Sequence, residues 1–222
     1  MNYRLIRTKR KTIALYITDS GLEVRAPKRA TLAEIDRFVR SKSKWIESHL
    51  EEREKRLSAK KEFKLSYGSK VQIRGKEYPI VSASPPKPIF RNGEILLPQN
   101  LDSDQIRSAL VALYKDLATE RIRERVRHYS SIMNVRPTSV RIGSAKTRWG
   151  SCSGDNRLNF TWFLIMADDE TLDYVVVHEL AHTIQHNHSK AFWEIVAKAA
   201  PTYKEQRTKL KVLQQRLSQE SW

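Results

Sequence analysis

Five residues late in the chain carry its strongest chemical signal: His178-Glu179-Leu180-Ala181-His182. Residues four apart on an α-helix share one face about a turn apart, so the imidazoles of His178 and His182 can reach one ion. Glu179 sits one step around that helix, where its carboxylate reaches a water held by the ion without ligating it. Neutral imidazole nitrogens suit zinc, and zinc brings the pKa of its water close to neutrality. A carboxylate beside that water takes its proton as it attacks a polarised carbonyl. The pattern points to a hydrolase that uses one zinc ion, with His178 and His182 as ligands and Glu179 as general base. The preceding run Tyr174-Val175-Val176-Val177 fits a buried helix.

Catalytic zinc usually has three protein ligands and a water, so a third ligand is needed. His188 follows His182 by six residues, the His-Glu-x-x-His-x5-His spacing of the metzincins. That spacing requires the chain to leave the helix and turn back. Metzincins place glycine three residues after the second histidine, and Gln185 stands there in this chain. Asn187 tolerates a left-handed conformation and is the candidate for making the turn instead. His186 is a competing ligand: four residues after His182, it shares that face if the helix continues. Glu194 is a third candidate, if the next helix folds back. The spacing favours His188. His49 and His128 lie in charged helical contexts and read as surface residues, and Cys152 reads as a neutral thiol.

The elements that must position these residues follow from periodicity and turn chemistry. Residues 2–8, 12–18 and 21–26 alternate as strands do, with Asp19-Ser20-Gly21 as a hairpin turn. Thr31-Leu32-Ala33-Glu34 has the form of a capping box, and Ile35, Phe38, Val39, Trp45, Ile46 and Leu50 continue at helical spacing. That helix is expected to run into a solvated charged stretch, Glu51 to Lys61. Short strands are expected from Tyr67 to Leu97, with turns at Gly75-Lys76 and Asn92-Gly93. A long helix with a stripe of Ile106, Leu110, Leu113, Leu117 and Ile122 should run from caps at 100–103 to about Met133. Its Arg121, Arg123, Arg125 and Arg127 point around the helix rather than along one face, which suggests solvation. Strands are expected at Thr138–Ser144 and Arg157–Thr161, joined through Lys146-Thr147-Arg148-Trp149-Gly150-Ser151-Cys152-Ser153. The motif helix should run from about Glu170 to Gln185 behind Asp168-Asp169, followed by one helix carrying Phe192, Ile195 and Val196 and another opened by Pro201. The expected fold class is α+β: a basic, β-rich N-terminal region with one long helix over residues 1–100, then a metallohydrolase region over 101–222.

Composition bounds the rest. The 222 residues suffice for a real hydrophobic core. A single cysteine excludes an intrachain disulfide. No apolar run follows the basic N-terminus and none is long enough for a membrane span, so the expectation is a cytoplasmic protein with no membrane partner. The net charge of +16 is uneven: residues 1–150 hold 33 Lys/Arg against 16 Asp/Glu, and residues 151–222 hold 8 against 9. Nucleic acid or another polyanion is the partner class that such a basic upstream region suggests, alongside plain solvation.

The run Tyr174–Trp193, YVVVHELAHTIQHNHSKAFW, resembles the YgjP-like metallopeptidases, relatives of the SprT-like and WLM groups. The likeness extends to KTRWGSCS at 146–153, RLNF at 157–160, Pro201-Thr202-Tyr203, Arg7 to Lys11, Ala26-Pro27-Lys28 and Lys44-Trp45-Ile46, and so covers most of the chain. It implies a zincin-like catalytic half with zinc at His178, His182 and His188 and the base at Glu179. The expected function is a zinc metallopeptidase acting on a peptide or protein. Two alternatives stand beside it. One is a metal-dependent hydrolase of a nucleoside triphosphate, because an activity on UTP has been attached to the family. The other is a nucleic-acid-associated SprT-like protease. Arg148 is a candidate for stabilising an oxyanion or anchoring a substrate, and Asn159 is a second candidate substrate contact. Trp149 is expected to pack and Gly150 to turn the chain. Tyr203 and His186 are further candidate transition-state donors. The zincin arrangement also suggests the strand Arg157–Thr161 as an edge that receives an extended peptide.

Overall fold

Alternation of apolar and polar residues produces the first three strands, β1 (Arg4–Thr8), β2 (Ala14–Thr18) and β3 (Gly21–Pro27). They form a sheet in the order β1-β3-β2, with β1 parallel and β2 antiparallel to β3. Gly21 takes a φ of +117° at the turn between β2 and β3, a conformation open to glycine. The helix α1 (Leu32–Ser41) begins with the expected capping box: Glu34 N–H donates to Thr31 Oγ1 at 3.2 Å, and Thr31 N–H donates to Glu34 Oε2 at 2.7 Å. The helical pattern is broken at Lys42, so that α2 (Ser43–Glu62) is a second helix rather than a continuation. Leu22, Val24 and Ala26 of β3 close a core with Ile35, Val39 and Ile46.

The computed structural model describes residues 2–222 and divides into two compact units, residues 2–63 with 218–221, and residues 64–217 with 222. The strands of 64–98, expected from the sequence to belong to an N-terminal region over residues 1–100, thus pack with the residues that follow. They are β4 (Lys70–Ile73), β5 (Lys76–Ala83), β6 (Ile89–Arg91) and β7 (Glu94–Pro98), in the order β4-β5-β7-β6. Two hairpins close on residue pairs with positive φ, Arg74-Gly75 and Asn92-Gly93. Positive φ at both central residues matches the right-handed twist of the flanking strands.

The long helix is α3 (Ser103–Met133), capped by Asp102 and Gln105 at one end and by Asn134 in the left-handed region at the other. Its buried spine, Ile106, Leu110, Leu113, Ala118, Ile122 and Val126, recurs at helical spacing. A further sheet follows, with β8 (Ser139–Gly143), β9 (Gly150–Cys152) and β10 (Arg157–Thr161) in the order β8-β10-β9. The strand β10 is therefore central, parallel to β8 and antiparallel to β9. It cannot be the receiving edge expected from the sequence, because its hydrogen-bonding groups on both sides are already engaged. A 3-10 turn over Trp162–Met166 leads into α4 (Asp169–Ala181), and α5 (Lys190–Ala199) and α6 (Tyr203–Leu217) complete the unit. No helix among the described residues is long and apolar enough to cross a membrane.

Candidate metal centre

The helix α4 holds the first two histidines, and its position is fixed from several sides. Asp168 caps it by accepting from Thr171 N–H at 2.7 Å, and Lys209 pairs with the same carboxylate at 2.9 Å. Arg125 grips Asp173 with two bonds of 2.6 and 2.7 Å, and Tyr129 donates to Asp173 at 3.1 Å. Arg121 reaches Asp169 at 3.0 Å and Glu124 at 2.8 Å. Two of the four arginines expected to be solvated thus bind acids of α4. Gln206, 1% exposed, accepts from Thr171 Oγ1 at 2.8 Å and ties α6 to the first turn of α4. Val175, Val176, Val177, Leu180 and Ala181 bury the rest of the helix, as the run before the motif predicts.

The helix ends at Ala181, four residues earlier than periodicity suggests, and His182 caps it. That end decides between the candidate third ligands. His186 no longer shares the face of His182; it is exposed and lies outside the cluster. Glu194 is exposed on α5 and pairs with Lys190 at 3.7 Å. His188 comes back instead, and its Nε2 lies 3.2 Å from His178 Nε2. Among the described residues, His178, His182 and His188 form the group of potential ligands, with one nitrogen from each lying within 4.8 Å of the others. The turn does not use a left-handed Asn187, which is absent from the positive-φ residues. Asn187 closes it through its side chain, accepting from Ser189 N–H at 3.1 Å and from Gln185 Nε2 at 2.9 Å.

Each ring is held in an orientation that suits a metal. His182 Nδ1–H donates to the Gln185 carbonyl at 3.1 Å, which leaves its Nε2 lone pair free. His178 Nδ1 faces Tyr174 Oη at 3.4 Å, one turn earlier on α4. Phe192, fully buried, lies 4.9, 4.5 and 4.8 Å from the rings of His178, His182 and His188. Trp193 stacks on His188 at 5.8 Å, Tyr203 stacks on Trp193 at 5.3 Å, and the Arg207 guanidinium lies 5.0 Å above the Trp193 ring. Burial, with the neighbouring charges of His182, His188 and Arg207, pushes His178 down to about 3. Burial also lowers His182. Both rings therefore stay neutral and available as ligands at physiological pH. Three imidazole nitrogen donors placed in this way fit a divalent metal ion.

Glu179 is 5% exposed, and burial raises its carboxyl to about 8, opposed by the positive charge of Arg148. Gly150 opens β9 against it: a Cβ there would stand 2.6 Å from Glu179 Oε1 and from its Cγ. Gly150 thus makes room for the carboxylate, a role beyond the turn expected from the sequence. Gly150, Cys152, Leu158 and Phe160 share the sheet face toward Glu179 by register, and Ser151 and Asn159 lie on the opposite face. Asn159 is therefore not brought to the site, whereas the charge of exposed Arg148 is felt there. Cys152 is outside the ligand group, and burial, then Glu179, raises its thiol. A cavity of 190 Å³ opens beside Glu179 and His178, lined by Trp149, Gly150, Tyr174, Val175 and Leu210. Sequence reasoning missed Tyr174 and Leu210 as site residues. Tyr174 stands four before His178, the spacing that puts two side chains together on a helix; Leu210 has no such local signal.

A family model described as YgjP-like, metallopeptidase domain, matches residues 11–213. No curated protein matches the chain. Two solved structures are similar to part of it. The metallopeptidase zymogen abylysin of Pyrococcus abyssi is 24% identical with a TM-score of 0.38, covering 41% of this chain and 92% of its own. The metallopeptidase zymogen jannalysin of Methanocaldococcus jannaschii is 22% identical with a TM-score of 0.36, covering 42% of this chain and 94% of its own.

Proposed function

The chain belongs to the YgjP-like metallopeptidase family, and from that premise we propose that it is a zinc-dependent peptidase with His178, His182 and His188 as ligands and Glu179 as general base. The observation that carries this reading is the convergence of three imidazole nitrogens beside a single buried carboxyl. All-nitrogen donation favours zinc over magnesium, which seeks oxygen, and so favours peptide over nucleotide hydrolysis. When bound, zinc supplies a Lewis acid for the scissile carbonyl and acidifies the attacking water.

The residues of the chain divide the remaining tasks. The Gln185 carbonyl and Tyr174 hold two rings in register. Desolvation makes Glu179 a stronger base than a solvated carboxylate, suited to take a proton from water and deliver it to the leaving nitrogen. The charge of Arg148 keeps part of that carboxyl ionised near neutral pH. The strand β9 ends its sheet, so its free edge can pair with an extended peptide beside Glu179. The 190 Å³ cavity, walled by Trp149, Tyr174, Val175 and Leu210, suits an apolar side chain of that peptide.

The test is metal analysis together with cleavage of a mixed peptide library by wild type and Glu179→Gln. The expected result is one zinc per chain in both proteins, with cleavage about 10²–10⁴-fold slower in the variant. Full activity of zinc-loaded Glu179→Gln would show that another group is the base. Cleavage of nucleoside triphosphates without cleavage of any peptide would overturn the peptidase reading.

A further inference from the structure

Two of the arginines late in α3 take no part in holding α4. Arg121 and Arg125 point to Asp169, Glu124 and Asp173, and the helix period turns Arg123 and Arg127 elsewhere. Arg123 and Arg127 stand four apart on one face, and with Arg136 of the following loop they line a cleft of 560 Å³. All three are exposed. Among the described residues none of the three has an acidic partner, and Glu124, the acidic residue between two of them, is engaged by Arg121. The floor of the cleft is apolar, formed by Val126, Val135 and Val140. Ser130 lines the same wall, and its hydroxyl has no hydrogen-bond partner among the described residues.

We infer that this cleft binds a single-stranded nucleic acid, with its phosphates on Arg123, Arg127 and Arg136 and a base or sugar over the apolar floor. Three unneutralised guanidinium groups around one depression call for an anion, since each presents a fork that matches phosphate oxygens. The cleft is the size of a small-ligand site. The valine floor adds what a purely electrostatic patch lacks, a surface for the face of an unstacked base, which duplexes do not offer. The field of the same unit agrees, because residues 64–150 hold 16 Lys/Arg against 7 Asp/Glu and would draw a strand toward this region. The cleft is independent of the metal centre, and its occupant does not depend on the peptidase reading.

The experiment measures fluorescence anisotropy of a labelled single strand, about 20 nucleotides long, against the full-length protein over a range of salt. Its variants are Arg123→Gln/Arg127→Gln/Arg136→Gln and a control, Lys198→Gln/Lys204→Gln/Lys211→Gln, which removes the same charge from α5 and α6. The expected result is about 30-fold or greater loss of affinity in the arginine variant and under about 3-fold in the control. The slope of log affinity against log salt should fall by about 2, roughly 0.7 for each phosphate of a single strand that is no longer neutralised. Equal losses in the two variants would overturn the site, since only total charge would then matter. Equal affinity for a duplex of the same length would overturn single-strand binding. Binding of a free nucleotide or of inorganic phosphate, displaced by neither oligonucleotide, would do the same. A thermal melt checks the fold of the triple variant. If it does not fold, Arg136→Gln alone carries the test and should lower the slope by about 0.7.

Discussion

Replacing Glu179 by Gln should stabilise the metal-free protein, and increasingly so as pH rises. The carboxyl is 5% exposed, and burial raises it from 4.5 to about 8. In the unfolded chain it ionises near 4.5, so between these two values folding must return a proton to it. A folded pKa above the unfolded one means that the favourable contribution is complete below pH 4.5 and is lost as pH climbs through 8. At pH 7 the gap to the unfolded value is about 2.5 units, and at 1.36 kcal/mol per unit this costs roughly 3 kcal/mol. Gln has no proton to recover, but its amide must also be desolvated, which returns about 1 kcal/mol or more. The net expectation is that Glu179→Gln is more stable by about 1–2 kcal/mol at pH 7, a rise of roughly 2–8 °C in melting temperature for a chain of this size. The assay is thermal unfolding of both proteins in chelator from about pH 4 to pH 8.5. The variant should be the less stable by about 1 kcal/mol near pH 4, match the wild type near about pH 5, and gain on it steadily above that. Zinc should narrow the separation, because a nearby cation favours the ionised carboxylate. Parallel curves across the whole range, or a less stable variant at the alkaline end, would refute the claim that this carboxyl is held in a desolvated place.

The remaining predictions test the scaffold around that group. Gly150→Ala places a methyl against the Glu179 side chain and should displace it; zinc content should be unchanged while kcat falls about 10–100-fold, measured by metal analysis and steady-state kinetics. His188→Ala should lose zinc at a chelator concentration that leaves His186→Ala fully loaded, since only His188 returns to the cluster. Asp173→Asn leaves Arg125 without its carboxylate in a place where both side chains are less than a fifth exposed; denaturant unfolding should show a loss of about 2–4 kcal/mol.

Much of the fold and of the site is written in local sequence. The spacing of His178 and His182 is a helix period, the boxes at Thr31 and Asp102 are four-residue signals, and Asn92-Gly93 carries its own turn chemistry. What was not legible depends on partners far along the chain. The purpose of Arg121 and Arg125 is invisible without Asp169 and Asp173, some 48 residues away in each case. The strand β9 is Gly-Ser-Cys, a triplet of low strand propensity, and it is a strand only because β10 pairs with it. The same pairing makes β10 central and moves the free edge to β9. The end of α4 is hidden from periodicity because no glycine or proline marks it. The break at Lys42 has no breaker residue either; it is a tertiary outcome that periodicity alone does not contain.

The third histidine of the cluster shows how local and distant constraints combine. The helix α4 supplies two imidazoles and the proposed base as a rigid unit, tied down by Arg125, Arg121, Lys209 and Gln206. A helix can present no third histidine on that face without continuing to position 186, which would make His186 the candidate. Ending α4 at Ala181 removes that option and frees the chain to reverse. The Asn187 carboxamide, bonded to Ser189 N–H and to Gln185, makes the reversal with ordinary backbone dihedrals. The Gln185 carbonyl, part of the same turn, also fixes the His182 ring. Phe192 in the first turn of α5 then packs against all three imidazoles and sets the return distance of His188. One short segment thus builds the turn, orients one histidine and delivers another, which is why the histidine cluster is compact in sequence although the scaffold that holds it spans the whole unit.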